Sequence, residues 1–400
     1  MKILVQKFGG TSVSTSNRRK LVINKIIKAR ELGFYPVVVV SAMGRKGEPY
    51  ATDTLLSLLT QDFKMNNPLS SDLLMSCGEI ISSVALCNDL NTEKIDAIPL
   101  TGGQAGIQTD NNFNNALIEN VNPNIILEVL NQGKVPVVTG FQGITKKGFF
   151  TTLGRGGSDV TAALLGVALN AEGIEIYTDV DGIMTADPRI VQDAKLIKEI
   201  SYNEVFQFAD QGAKVIHPRA VEIAMKGNVP LLIKNTMNDC DGTIIDNFGE
   251  VSSSNIITGI THIDNRVQIK VEVNENLDND NYYNILVVLA ENLISIDLIN
   301  VFPNQKIFTI DNKDLSVFNT IMNKLNLKYS YIENCSRISI IGSRMRGIPG
   351  IMAKILKALI KDRINVLQTA DSHTTIWCLV QTEHANSAIK ALHQEFKLNT

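Results

Sequence analysis

The chain is short of several things, and each shortage excludes something. It has one tryptophan, five cysteines and five histidines in 400 residues. Cys77, Cys87, Cys240, Cys335 and Cys378 are odd in number and form no C-x-x-C pair, which argues against a disulfide frame and for free thiols in a reducing compartment. His217, His262, His373, His384 and His393 keep no metal-ligand spacing with one another or with the cysteines, so no protein-held metal is expected. Neither charge sign is in excess. Lys plus Arg total 38 against 41 for Asp plus Glu, a net charge of −3, which leaves no positive field to hold a nucleic-acid backbone. No apolar run approaches the ~18 residues of a membrane span, and Val37 to Val40, the strongest, is strand-sized. Polar Gln6-Lys7 follows Met1 to Val5 too soon for a secretory core, so a cytoplasmic location is expected and no membrane partner.

What is present reads as a globular enzyme. Hydrophobic residues at 44% and charged residues at 20% suit a packed core, and the length suits two or three domains of ~150 residues. From residue 1 to 245 short β-branched runs alternate with helical patterns, the signature of an α/β sandwich on a largely parallel sheet. The spacing predicts a strand over 3–8, a helix over 17–32 closed by Gly33, and a central strand over 36–40. Helices over 72–90, 123–130 and 158–169 then alternate with strands over 95–99, 136–139 and 174–178, and a late strand follows over 229–234. Ser201-Tyr-Asn-Glu204 is a capping box. Asn, Asp, Gly and Ser crowd residues 238–255, which marks a linker. Beyond it, 256–333 and 334–400 each read as βαββαβ, two ferredoxin-like units, with 256–263 able to pair with the second.

Four glycine- or charge-bearing turns at strand ends carry the chemistry. Lys7-Phe-Gly-Gly-Thr-Ser12 has the composition of a phosphate cradle: glycines admit a ligand close to the backbone and Lys7 adds a compact charge. It matches neither the P-loop nor the dinucleotide fingerprint, and taken alone it is also an ordinary strand-to-helix turn. Thr151-Thr-Leu-Gly-Arg-Gly-Gly-Ser-Asp159 runs into a helix whose free N–H groups, with Arg155 and Ser158, suit a carboxylate or phosphate, while Asp159 alone is also a favourable first-turn charge. Thr178-Asp-Val-Asp-Gly182 leading to Asp187-Pro-Arg189 can wrap a base and ribose and bring Arg189 to phosphates. Gly212-Ala-Lys214-Val-Ile-His217-Pro218 offers a second lysine, with His217 structural rather than catalytic. Open α/β sheets bind ligands at the carboxyl ends of their strands, so these turns can face one crevice.

Together the sequences at 5–13, 153–159, 178–182, 185–189 and 212–218, in that order, resemble the aspartokinases, amino-acid kinases that phosphorylate the β-carboxylate of L-aspartate with ATP. The likeness spans nearly the whole chain, and it implies an amino-acid-kinase sandwich followed by paired ACT domains. It assigns catalysis to Lys7, which neutralises charge on the transferring phosphoryl group, and to Asp159, which orients the lysines. Phe8, Gly9, Gly10, Ser41, Thr178, Asp179, Met184, Arg189 and Lys214 fall at the ATP-binding positions, with the backbone N–H groups of Gly9 and Gly10 directed at phosphate oxygens. Arg155, Gly156, Gly157 and Ser158 resemble the clamp on the substrate α-carboxylate, Glu79 the group that holds the α-ammonium, and Thr52 and Phe141 other substrate-side positions. Read alone, Glu79 is a solvated helix carboxylate. Many members have Tyr where this chain has Met184, whose thioether still covers an apolar base face. The cofactor implied is ATP with Mg2+.

The C-terminal half resembles feedback-sensing ACT pairs that bind an end-product amino acid: lysine, threonine or meso-diaminopimelate. Gly347-Ile-Pro-Gly350 offers an exposed turn for such a ligand, whereas Asn276 to Asp280 in the first unit has no Gly or Pro. Residues 370–377 look like the diaminopimelate-sensitive type, although a polar hairpin has the same composition. A homo-oligomer is expected. About 145 residues after the linker are too few for a second catalytic half such as a homoserine dehydrogenase. A sensor without catalysis would lack part of the charged set Lys7, Glu79, Arg155, Asp159 and Lys214, all of which are present.

Overall fold

The computed structural model describes residues 1–212, 215–249, 255–272, 280–343, 345 and 347–399, which fall into two compact units. The first holds 1–183, 196–209 and 215–249. Residues 184–195 and 210–212, which a single boundary near 245 assigns to the first domain, cluster instead with the C-terminal unit.

The first unit is built on an eight-stranded sheet in the order Glu199–Ser201, Thr243–Asp246, Leu231–Asn235, Gly173–Thr178, Ile3–Phe8, Tyr35–Val40, Val135–Thr139, Ala97–Leu100. The six from Leu231–Asn235 onward run parallel, and Thr243–Asp246 reverses direction. Strands covered on both faces read as unbroken apolar text, and Val37 to Val40 are fully buried. Side chains alternate between the faces. Phe8, Val38 and Val40 pack with Ile23 and Ile26 of helix Ser16–Glu31 and with Leu86 and Leu90 of helix Pro68–Thr92. Lys7 therefore projects to the opposite face, where helix Gly157–Ala168 lies against the same strands.

Local chemistry sets the element ends. Thr15 caps Ser16–Glu31 by accepting from the Arg18 N–H, and Gly33 follows its end at φ +82°. Ser201 and Glu204 form the capping box, each side chain accepting from the other's N–H. Pro68 opens its helix four residues before the expected start, at a position where a missing N–H costs nothing. That helix is long and apolar enough to cross a membrane by length and composition, yet it packs on the sheet with Asp72 and Glu79 buried.

A second, four-stranded sheet in the order Ile118–Val121, Ile107–Thr109, Gln142–Thr145, Phe150–Thr152 has no counterpart in the sequence reading. Runs of three or four residues between Gly and Asn turns hold too few alternations to register.

The C-terminal unit is one six-stranded antiparallel sheet in the order Asp297–Val301, Gln305–Asp311, Gly259–Glu272, Lys328–Ile341, Thr375–Gln381, Gln368–Asp371. Its two central strands are 14 residues each and serve both halves. Arg266 to Glu272 pairs with Gln305–Asp311, whereas Gly259 to Ile263 pairs with Arg337 to Ile341 and so edges the second half. Helices Asp280–Glu291 and Leu315–Leu325 cover the first half, and Ile351–Lys361 and Thr382–Glu395 the second. Helix Ile351–Lys361 starts after the Gly347 to Gly350 turn because Gly350, at φ +91°, is its N-cap. Residues 276–279 of the first half's loop lie outside the described residues.

Candidate active site

Five parallel strands end level. Phe8 is in register with Val40 and Tyr177, Val40 with Thr139, and Thr178 with Asn235. The turns that leave these strands carry Gly9 and Gly10, Ser41, Gly140 and Phe141, and Thr178 and Asp179, which places the expected residues of the first unit along one carboxyl edge.

The loop after Val40 closes over the opening turn. Ser41, half-buried, donates its N–H to Phe8 O at 3.2 Å, and the Gly44 N–H reaches Gly10 O at 3.0 Å. A Cβ on Gly10 would sit 2.5 Å from Ala42 O, so only glycine fits. One expectation needs correction. The Gly9 N–H is not directed at a ligand, because it donates to Tyr177 O at 3.2 Å and extends the parallel ladder one residue past the strand. The donors without an intrahelical acceptor are those of Gly10 and Thr11, the first two residues of helix Gly10–Val13.

Lys7 Nζ lies 2.6 Å from Asp159 Oδ1 as an ion pair rather than an aligned hydrogen bond. With the two side chains 12% and 14% exposed, water screens the pair little. Asp159 sits in the first turn of helix Gly157–Ala168, whose N-cap, Gly156, is left-handed at φ +70°. Arg155 stands exposed at the tip of this turn, and Ser158 packs on Gly140, where a Cβ would meet Ser158 Oγ at 2.7 Å. Phe141 takes φ +70°, donates its N–H to Thr161 Oγ1 at 3.1 Å and lays its ring against Gly157, where a Cβ would fall 2.7 Å from Cδ2.

Two residues brace the turn from outside. His217 is the N-cap of helix Pro218–Gly227, its Nδ1 accepting from the Arg219 N–H at 3.3 Å, and a Cβ on Gly156 would strike its ring at 2.4 Å. Burial holds the His217 pKa below the usual value; Asp159 opposes this, while Arg219 and Arg155 reinforce it. Arg219, which the sequence reading missed, donates to Leu153 O at 3.2 Å.

Glu79 is the unusual group. It is 2% exposed; Oε1 accepts from the Ala42 N–H at 3.1 Å, and Oε2 is buried without a partner. Burial pushes its pKa up to about 8, against the hydrogen bonds from its own and the Ala42 N–H. A solvated helix carboxylate is thereby excluded. Gly78 lets the Tyr50-Ala-Thr52 segment approach, since a Cβ there would lie 3.1 Å from Tyr50 O; half-buried Thr52 opens helix Thr52–Leu56. Asp72, two turns earlier, was also missed. It is fully buried and accepts from the N–H groups of Asn114 and Thr152 and from the Thr152 hydroxyl, at 2.8 to 3.1 Å. The available signal was spacing: Asp72, Ser76, Glu79 and Ser83 recur on one helical face, and all are buried.

On the nucleotide side, Thr178 Oγ1 accepts from the Val180 N–H at 3.0 Å, and Asp179 pairs with Arg45 at 2.5 Å on the surface. Hydrogen bonds from Asn238 and Asn235 hold Asp181 below the usual carboxylate range. Met184, half-buried, and Arg189 belong to the segment grouped with the C-terminal unit, where Arg189 pairs with Asp187 at 2.6 Å. Lys214 lies outside the described residues. Among the described residues no three His, Cys, Asp or Glu side chains converge as a metal site.

Comparison with known proteins gives the family and the fold. The amino acid kinase family profile matches residues 2–235, and an ACT domain profile matches 330–394. Aspartokinase 1 of Bacillus subtilis is 43% identical over 404 residues, covering 100% of both chains, and the aspartokinase of Geobacillus stearothermophilus is 37% identical over 404 residues, covering 100% of this chain and 98% of the relative. Among solved structures, Clostridium acetobutylicum aspartate kinase superposes with a TM-score of 0.79 at 25% identity, covering 98% of this chain and 100% of the other. Escherichia coli aspartokinase III in complex with aspartate and ADP gives 0.76 at 24%, covering 98% and 99%, a likeness of fold.

Proposed function

We propose, from the premise that this chain belongs to the aspartokinases of the amino acid kinase family, that it transfers the γ-phosphoryl group of ATP to the β-carboxylate of L-aspartate. The products are 4-phospho-L-aspartate and ADP, the entry to lysine, diaminopimelate, threonine and methionine synthesis. The observation that carries the reading is Glu79: a buried carboxylate with one oxygen unpartnered, joined through Ala42 to the glycine turn that carries Lys7. A phosphate cradle needs no such group, whereas an amino-acid substrate brings an ammonium to satisfy it.

A substrate carboxylate oxygen attacks the γ-phosphorus, the new O–P bond forms as the bond to the β,γ-bridging oxygen breaks, and ADP leaves with the electron pair. The nucleophile is already ionised at neutral pH, so no general base is required. Catalysis is then positioning and charge stabilisation. Lys7 neutralises the transferring group, Asp159 fixes the Lys7 ammonium, and the Gly10 N–H meets phosphate oxygens. Phe8, Gly9, Ser41, Thr178, Asp179, Met184, Arg189 and Lys214 complete the nucleotide side. Arg155, with Gly156, Gly157 and Ser158, clamps the α-carboxylate, Glu79 holds the α-ammonium, and Thr52 and Phe141 line the substrate. Mg2+ enters on the ATP phosphates as part of the co-substrate.

Residues 1–245 with the exceptions above form the catalytic domain, and 256–333 and 334–400 the ACT pair. Feedback binding of lysine, threonine or meso-diaminopimelate there, at a site that includes the Gly347 to Gly350 turn, fits a cytoplasmic homo-oligomer. Purified protein with MgATP, L-aspartate and hydroxylamine should yield aspartyl hydroxamate. Turnover of glutamate, N-acetylglutamate or UMP in place of aspartate would refute the substrate. Unchanged activity with all three effectors, singly and together, would refute the feedback reading.

A further inference from the structure

The segment from Met184 to Lys195 is held as part of the C-terminal core. Thr185 and Lys195 close it: the Thr185 N–H donates to Lys195 O at 2.9 Å, and the Lys195 N–H donates to Thr185 Oγ1 at 3.0 Å. Thr185 O accepts from the Ile260 N–H at 2.8 Å. Ala186 and Val191 are buried in the cluster with Ile260, Ile355, Ile389 and Leu392. At the far end Asn399 donates to Asp193 at 2.8 Å.

One contact in this packing is polar and buried. Thr185 Oγ1 lies 3.0 Å from His393 Nε2, with Thr185 9% and His393 2% exposed. The threonine oxygen also accepts from the Lys195 N–H, so Thr185 Oγ1 ties the closure of the segment to His393 Nε2, with the hydroxyl or the ring N–H as donor according to the His393 tautomer. Burial holds the His393 pKa below the usual value, with Asp193 pulling the other way, which favours the neutral ring at this contact. A buried Thr–His bond is costly to leave half-made, and a threonine packed among Ala and Ile needs no such partner unless its backbone must be held in place.

Thr185 directly follows Met184 and lies four residues before Arg189. We propose that His393, acting through the Thr185 hydroxyl, is a positioning residue for the nucleotide, and that the last helix of the regulatory half thereby fixes the segment bearing two ATP contacts. The inference rests on the reading of Met184 and Arg189 as nucleotide contacts.

The test is steady-state kinetics on the full chain, with the KM for ATP and for aspartate measured separately. His393→Leu, which removes the Thr185–His393 bond alone, should raise the ATP KM about five- to tenfold, as expected for one buried hydrogen bond; Thr185→Val keeps shape but also strips the acceptor of the Lys195 N–H and should raise it at least as much, and both should leave the aspartate KM within about twofold. Thr185→Ser should restore the ATP KM, and the double variant should be no worse than Thr185→Val alone. If His393→Leu does not fold, His393→Phe, which keeps an aromatic ring and loses both ring nitrogens, takes its place. Equal increases in both KM values, or failure of Thr185→Ser to rescue, would reduce the pair to a structural contact and overturn the proposal. Arg189→Ala and Met184→Ala separate the two levels. If they raise the ATP KM while Thr185→Val does not, the positioning role fails and the nucleotide reading stands; if neither raises it, the nucleotide reading fails and the inference with it.

Discussion

Replacing Glu79 by Gln tests the site at its most constrained point. Burial raises the carboxyl pKa from 4.5 to about 8, so the free enzyme at pH 7 holds only about a tenth of Glu79 ionised. An ammonium needs the ionised form. The kcat/KM for aspartate in the native enzyme should therefore climb close to tenfold from about pH 6 to 7 and about fivefold from 7 to 8, because this parameter reports the free enzyme's titration. The kcat/KM for ATP should not follow it. Glu79→Gln keeps an acceptor for the Ala42 N–H but loses the charge-assisted bond, about 2 to 5 kcal/mol for a buried ionic partner, or at least about 30-fold in aspartate KM at pH 8. Near pH 6, where native Glu79 is itself largely protonated, the two enzymes should converge. A hydroxamate assay across pH 6 to 8.5 reads both trends. Stability gives an independent check. The folded pKa is raised, so the contribution of Glu79 to stability is fully present below about pH 4.5 and is lost as pH rises toward 8, a decline of a few kcal/mol that Glu79→Gln should lack in denaturant titrations. Parallel stability profiles, or an aspartate KM that ignores both pH and the substitution, would refute the assignment.

Lys7→Ala should lower kcat by on the order of 10² to 10³ with small changes in KM, since it removes transition-state charge stabilisation; a loss seen only in KM would contradict that role. Arg155→Ala should raise the aspartate KM far more than the ATP KM, and equal effects would remove it from the clamp. Gly156→Ala should cost about 1 to 3 kcal/mol and raise the aspartate KM, because φ is +70° and the added methyl strikes the His217 ring; a thermal melt and substrate kinetics check both. Asp72→Ala should cost about 2 to 4 kcal/mol by stranding the buried N–H and hydroxyl of Thr152 and taking the acceptor of the Asn114 N–H, visible as a lowered denaturation midpoint.

The unbroken Val37 to Val40 run, the Ser201–Glu204 box and the Lys7 turn were legible because each is a local rule written in consecutive residues. Segments 184–195 and 210–212 were not, since membership of a unit is decided by long-range packing that no window of sequence reports. Gly9 shows the same limit at atomic scale. Its composition suits a phosphate, yet its N–H is spent on Tyr177 O, a residue 168 positions away. The shared fourth strand at 259–263 was foreseeable only through the family's topology, because 14 consecutive extended residues read as one strand with no mark where one half yields to the other.

Two acids on one helix show how the structure separates support from chemistry. Asp72 and Glu79 share a face and a raised pKa, and in both the cause is burial. Asp72 receives hydrogen bonds at both oxygens, from Asn114 and Thr152, so its charge is matched within the fold and its removal damages the sheet it ties to the helix. Glu79 receives a bond at one oxygen only, and the fold bears the cost of the other. A buried carboxylate left half-satisfied is unstable as architecture and is relieved only by something that arrives. By hydrogen-bond accounting alone, then, Asp72 belongs to folding and Glu79 to the substrate, and the two should respond oppositely to neutral replacement. Asp72→Asn should lower stability at neutral pH with aspartate KM unchanged in the folded fraction, and Glu79→Gln should raise KM at no cost in stability above pH 8.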